Sequence, residues 1–198
     1  MVLVIIDGLD ASGKNTQADM LTNLLKKLHK SVFLRVHPSA DNLLGIKTKQ
    51  FLYLKGRNAH FASATFYMLD VVRSVLLYSW RKYDFVIFVR YLMGTAYLPS
   101  PLHEIAYYFF AATMPNSDFM FFLDVEPEEA YKRIKHARSR QEMFENLSGL
   151  KQVRHKALCL ALVNNWIIVD ANKSAQNVHL KIAGYFQCRF DLFYSPPE

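Results

Sequence analysis

The stretch Val2-Leu3-Val4-Ile5-Ile6-Asp7-Gly8-Leu9-Asp10-Ala11-Ser12-Gly13-Lys14-Asn15-Thr16 decides the fold. Its first five residues form an apolar, β-branched run of strand length, which reads as a buried strand. Gly8 and Gly13 bracket a turn whose backbone needs angles that a side chain forbids. Lys14 follows, and a helical pattern begins. Strand, glycine-bracketed turn, lysine and helix is how a chain wraps backbone N–H groups around phosphates. The helix N-terminus adds partial positive charge and the lysine a point charge. Gly8, Asp10, Ala11, Ser12, Gly13, Lys14, Asn15 and Thr16 are the candidate phosphate loop. Asn15 stands where the strict pattern has a Ser or Thr to hold Mg²⁺.

Outward from this loop, apolar runs of strand length recur at Ser31–Val36, Phe85–Val89, Phe119–Val125 and Trp166–Val169. Helical patterns lie between them. Leu21, Leu24, Leu25 and Leu28 keep a spacing near 3.6 residues, and Pro127 with Glu128 and Glu129 suits a first helical turn. Alternating strands and helices predict an α/β fold, a five-stranded parallel sheet covered on both faces, with ligands at the carboxyl ends of the strands. The charged segment from His136 to Ser148 reads as a mobile surface segment, and the tail Arg189–Glu198 as one that frays.

Composition sets the bounds. The 198 residues suit one domain, with 52% hydrophobic and 21% charged residues, a globular balance rather than a disordered one. A net charge of +7 fits a polyanionic ligand such as a nucleotide and equally a solvated basic surface. No nucleic-acid recognition module is present, so nucleic acid is not an expected partner. Cys159 and Cys188 lack metal-type spacing, which predicts a reduced, cytoplasmic compartment and no structural zinc. Met1–Ile6 has no basic leader and meets Asp7 too soon for a signal peptide. Phe61–Trp80 is almost wholly apolar, but Asp70 and Arg73 in its middle oppose a membrane span. We expect a core helix, or one shared with a partner subunit.

Four segments together resemble the thymidylate kinase family over nearly the whole chain. Asp7–Gln17 is similar to that family's phosphate loop, including the acidic Asp10. Leu123–Ala130 with Arg133 resembles its strand and the helix entering its lid, and Val169–Ser174 its adenine-side loop. Arg90-Tyr91 with Gly94-Thr95-Ala96-Tyr97 resembles, in part, its Asp-Arg-Tyr segment and the motif after it. The resemblance implies one kinase-like domain over residues 1–198 with strand order 2-3-1-4-5, a lid at about 136–148, and a homodimer built on helices. It implies transfer of the ATP γ-phosphoryl group, with Mg²⁺, to dTMP. Lys14, Arg90 and the lid residues Arg138 and Arg140 are then the catalytic cations. The phosphate loop, Arg133, Asn172 and Lys173 bind ATP, and Asp10, Pro38, Tyr67, Arg90 and Tyr97 bind the acceptor. For Tyr67 the aromatic spacing leaves a core role equally open.

The chain also departs from the family pattern. Asn15 replaces the metal-holding hydroxyl, and Val89 replaces the aspartate before Arg90. Val71 stands where an arginine reads the thymine edge, and Ala40 near where a phosphate-binding arginine is expected. Asp84, five residues up an extended strand and so about 16 Å away, cannot replace the carboxylate at 89. Asp124, ending another strand, is expected to compensate only in part, and Arg73 is expected to pair with Asp70 at i, i+3. The metal ligands stay unassigned. The alternative function is a catalytically degenerate nucleotide-binding protein of the same fold with a partner or regulatory role.

Overall fold

Val4, Ile5 and Ile6 are fully buried at the centre of strand β1 (Val2–Gly8), each contributing roughly 1.5–3 kcal/mol of apolar burial. This is a computed structural model, and it describes residues 1–54, 56–78, 82–117, 119–137 and 146–190. After β1 come α1 (Lys14–Lys27), β2 (Val32–Val36), α2 (Leu43–Leu52), α3 (Arg57–Tyr78) and β3 (Phe85–Val89). A 3-10 turn (Leu92–Tyr97), α4 (Leu102–Thr113), β4 (Phe119–Asp124), α5 (Pro127–Ala137), α6 (Leu147–Val163), β5 (Ile167–Asp170) and α7 (Ala175–Phe190) complete the order. The five strands form one parallel sheet ordered β2-β3-β1-β4-β5, as expected. Ile6 pairs with Val89 on one side and Phe121 on the other. The carboxyl ends of β1 and β3 therefore deliver the phosphate loop and Arg90 side by side.

Pro127 opens α5 with Glu128 and Glu129 in its first turn, as its fixed φ and missing N–H favour. His136 and Ala137 still belong to α5. Asn146 caps α6, its Oδ1 accepting from the Gly149 N–H at 2.8 Å. Both ends of the lid expected at 136–148 are thus helical. Residues 138–145, with Arg138 and Arg140, lie outside the described residues. At the other end, α7 runs to Phe190 and takes in the first two residues of the tail expected to fray. Residues 191–198 also lie outside the described residues.

Helix α3 is only half a core helix. Val71, Asp70 and Ser74 are fully buried, but Leu69, Leu76 and Leu77 are 46%, 64% and 46% exposed. One face packs on α2 and on the 3-10 turn, and nothing among the described residues covers the other. The helix is long and apolar enough to cross a membrane, with 39% of its apolar window buried. Asp70 in its middle has its own partners. Its carboxylate accepts from the Ser39 N–H and Oγ, each at 2.7 Å, and from Asn42 Nδ2 at 2.8 Å. Arg35 lies 3.9 Å from it. The expected Asp70–Arg73 pair does not form, because the loop after β2 turns its donors onto Asp70 first. The Nη1 of Arg73 is buried without a hydrogen-bond partner among the described residues.

Candidate active site

The phosphate loop folds as a turn that only glycine permits at its key points. Gly8 has φ +146°, and a Cβ there would lie 2.5 Å from the Leu123 carbonyl oxygen. Gly13 has φ +88° at the N-cap of α1, and Ala11 is held at φ 58°. The Ser12 N–H donates to the Leu9 carbonyl at 3.1 Å, closing the turn. Lys14 is buried and its ammonium lies over the loop. It donates to the Gly8 carbonyl at 2.9 Å, to the Leu9 carbonyl, and to Ser12 Oγ at 3.4 Å. Asn15 and Thr16 sit exposed in the first turn of α1. Gln17 Nε2 donates to the Ala175 carbonyl at 2.8 Å and ties α1 to α7.

Beside this loop lies a cavity of about 410 Å³ between the ends of β1 and β2, Arg90, α2, α3 and the 3-10 turn. Asp10, Asn15, Pro38, Tyr67, Arg90 and Tyr97 all line it, so sequence-distant candidates converge. Asp10 is the hub. It accepts from Arg90 Nη2 at 3.0 Å on one oxygen and from the Tyr97 hydroxyl at 2.9 Å on the other. Burial pushes the Asp10 carboxyl upward, but the Arg90 and Lys14 charges outweigh it and hold the group at about 2. Burial likewise opposes the Arg90 charge, and the Asp10 carboxylate more than offsets it, raising the guanidinium pKa above its ordinary value. The pair stays ionised. Tyr67 is a core residue that also lines the cavity. Its hydroxyl donates to the Tyr91 carbonyl at 3.1 Å, its ring is buried against Gly94, and one side still faces the cavity. Pro38 lines the wall after a cis peptide bond from His37.

On the far side of the loop, Arg133 donates to the Ala11 carbonyl at 3.4 Å and the Ala171 carbonyl at 3.2 Å. Its Nε pairs with Glu129 at 2.9 Å. It therefore links the phosphate loop to the segment after β5. There, Asn172 Oδ1 accepts from the Glu126 N–H at 2.9 Å, and Lys173 is exposed, 4.0 Å from Asp170.

Three residues escaped the sequence reading. Asp7, 2% exposed, accepts backbone N–H groups from Gly8 (2.9 Å), Tyr91 (2.8 Å) and Met93 (3.1 Å). It fastens the segment after β3 to β1, while burial pushes its carboxyl upward. An acidic residue closing a buried strand was the available signal. His37 Nδ1 donates to the Arg90 carbonyl at 2.9 Å, and nothing in the sequence pairs residues so far apart. Arg154 of α6 grips Asp124 through Nε at 2.7 Å and Nη2 at 2.8 Å. Both oxygens of Asp124, the expected partial substitute for the carboxylate missing at 89, are therefore engaged by a guanidinium. Val89 itself is fully buried, as is Val71, and neither lines the cavity, while Ala40 is exposed. Asp84 binds Ser31 at the opposite end of β3.

The loop geometry fits a nucleotide phosphate chain, with Lys14 and the N-terminus of α1 facing it. Among the described residues no group of three or more His, Cys, Asp or Glu could hold a metal ion. A Mg²⁺ ion bound with a nucleotide here would therefore be carried largely by phosphate and water.

Sheet order, phosphate loop and adjoining cavity define a phosphate-loop α/β nucleotide-binding protein. The profile of the thymidylate kinase family matches residues 6–182, and the chain belongs to that family. It is 30% identical over 200 residues to a probable thymidylate kinase of Methanocaldococcus jannaschii, covering 94% of this chain and 96% of that one. It is 26% identical over 192 residues to a thymidylate kinase of Thermosipho africanus, covering 91% and 95%. A solved thymidylate kinase from Candida albicans has the same fold, with a TM-score of 0.78 at 19% identity over 100% of this chain and 96% of that one.

Proposed function

We propose that this chain is an ATP-dependent nucleoside monophosphate kinase acting on dTMP. The observation that carries the reading is the shared cavity, where Asp10, Arg90, Tyr67 and Tyr97 meet the edge of the phosphate loop. Bound ATP and Mg²⁺ would supply the phosphoryl group and neutralise its charge. The chain's part is positioning and electrostatics. Lys14 and the loop N–H groups hold the donor phosphates, with Arg133, Asn172 and Lys173 on the donor side. Arg90 offers its planar fork to the acceptor phosphate. Asp10, ionised at neutral pH, accepts the sugar hydroxyl, Tyr97 braces Asp10, and Tyr67 presents a ring to the base. Arg138 and Arg140 complete the cation set from the lid. A homodimer through the uncovered face of α3 belongs to the same reading, supported by the exposed Leu69, Leu76 and Leu77. The test is ADP release from MgATP with and without dTMP. We expect dTMP-stimulated turnover, reduced about 10²–10³-fold in Lys14→Ala, the scale of one lost transition-state donor. If no monophosphate stimulates release above the Lys14→Ala background, the reading fails.

A second reading, a nucleotide-binding protein without turnover, is favoured by the Asp124–Arg154 pair and by hydrocarbon at Val89. It predicts ATP binding that is indifferent to Mg²⁺. A strengthening by Mg²⁺ of tenfold or more, about 1.4 kcal/mol, counts against it.

A further inference from the structure

The cavity wall formed by α2 carries a cation outside the phosphate loop and the Arg90 segment. Lys49 and Leu52 of α2, with Tyr53 at its C-cap, face the cavity, as spacings of i, i+3 and i+4 on one helix require. Besides three tyrosines, the ionisable lining consists of two carboxylates, Asp7 and Asp10, two cations, Arg90 and Lys49, and His37. Burial keeps His37 neutral. The Arg90 charge is already engaged by Asp10 at 3.0 Å. Asp7 and Asp10 are already opposed by Arg90 and by the neighbouring Lys14 of the phosphate loop, so Lys49 adds a positive charge on the α2 side for an incoming phosphate dianion. Lys49 makes no ion pair among the described residues, and it is exposed where α2 borders the cavity. Its flexible stem suits a cation that swings onto an incoming phosphate. Ala40 offers no charge on this side.

We infer that Lys49 is a ligand of the acceptor's 5′-phosphate, the second cation of that subsite beside Arg90. This rests on the monophosphate kinase reading and deepens it. The experiment compares wild type, Lys49→Met, Lys49→Arg and Lys47→Met, the last a neighbour on α2 that is exposed and does not line the cavity. Equilibrium binding of dTMP, of thymidine and of ATP is measured for each. Lys49→Met should weaken dTMP about tenfold, or about 1.4 kcal/mol, leave thymidine and ATP within about twofold, and raise the KM for dTMP. Lys49→Arg should recover most of the loss, and Lys47→Met should match wild type. Rising salt should erode the difference between wild type and Lys49→Met, because the contact is a partly exposed charge pair. A Lys49→Met protein that binds dTMP like wild type, or loses thymidine equally, overturns the inference and leaves the kinase reading standing. A wild-type protein that binds no nucleoside monophosphate overturns both.

Discussion

Val89 is where a single side chain most directly tests what this fold can catalyse. It is fully buried, opposite Ile6 of β1 and Val36 of β2, and it directly precedes Arg90. A carboxylate there must find metal, water or Arg90 to offset its desolvation. Asp7, one residue beyond Ile6, adds a like charge nearby. Val89→Asp should therefore lower stability by about 1–3 kcal/mol while raising dTMP phosphorylation about tenfold, or about 1.4 kcal/mol of barrier. Adding Asn15→Ser should raise it further but by less than the product of the two gains, if both groups serve one Mg²⁺. Urea unfolding and an ADP-release assay check the two halves. A double variant that folds and binds ATP but gains no rate would move the defect to the acceptor side.

The junction between the ends of β2 and β3 is held by hydrogen bonds that cross from one strand to the other. The His37 N–H donates to the Val89 carbonyl at 3.0 Å, His37 Nδ1 to the Arg90 carbonyl at 2.9 Å, and Arg90 Nη1 to the His37 carbonyl at 3.4 Å. Arg90 sits at φ 61°, in the left-handed region, at a cost of roughly 1–2 kcal/mol. These bonds, with Asp7 holding the Tyr91 and Met93 N–H groups, keep it there. His37 Nε2 is buried with no hydrogen-bond partner among the described residues. Burial drives the imidazole down from 6.5 to about 4, only partly opposed by the Asp70 charge. The unfolded chain therefore takes up a proton first as pH falls. Stability is unaffected above about 6.5, is lost progressively down to about 4, and levels off below. In His37→Asn the side-chain amide keeps a donor toward the Arg90 carbonyl and does not titrate. Over that window wild type should lose about 3 kcal/mol more than this variant. Urea midpoints measured across the range check it, and parallel curves would refute the assignment.

The arrangement of exposed and buried surface bears on assembly. Leu44 of α2 and Leu69, Val72, Leu76 and Leu77 of α3 form one shallow apolar groove, a grouping of the kind that marks association surfaces. A face that pairs with its own copy about a two-fold axis is self-complementary, so one charge placed there is introduced twice. Leu76→Glu, at a position 64% exposed, should leave the fold intact and convert a dimer to monomer in light scattering at micromolar concentration. A wild-type protein that is already monomeric refutes the dimer.

Much of this architecture was legible in the chain. Apolar runs of strand length alternating with helical spacing were enough for the parallel sheet, and a glycine-bracketed turn with its lysine for the phosphate loop, because burial on both faces and left-handed turns restrict residue choice locally. The family likeness added strand order and the convergence of Asp10, Arg90 and Tyr97 as an expectation. Local pattern could not show which donors reach a given charge. Asp70 went to the loop after β2 instead of Arg73, Asp124 went to Arg154 of α6, and Asp7 and His37 were spent holding the turn around Arg90. Nor could it show that α3 buries one face and exposes the other. Residues set the kind of bond each side chain can make. The partner it makes it with depends on packing between distant segments, where the nearest donor with the best geometry takes the charge.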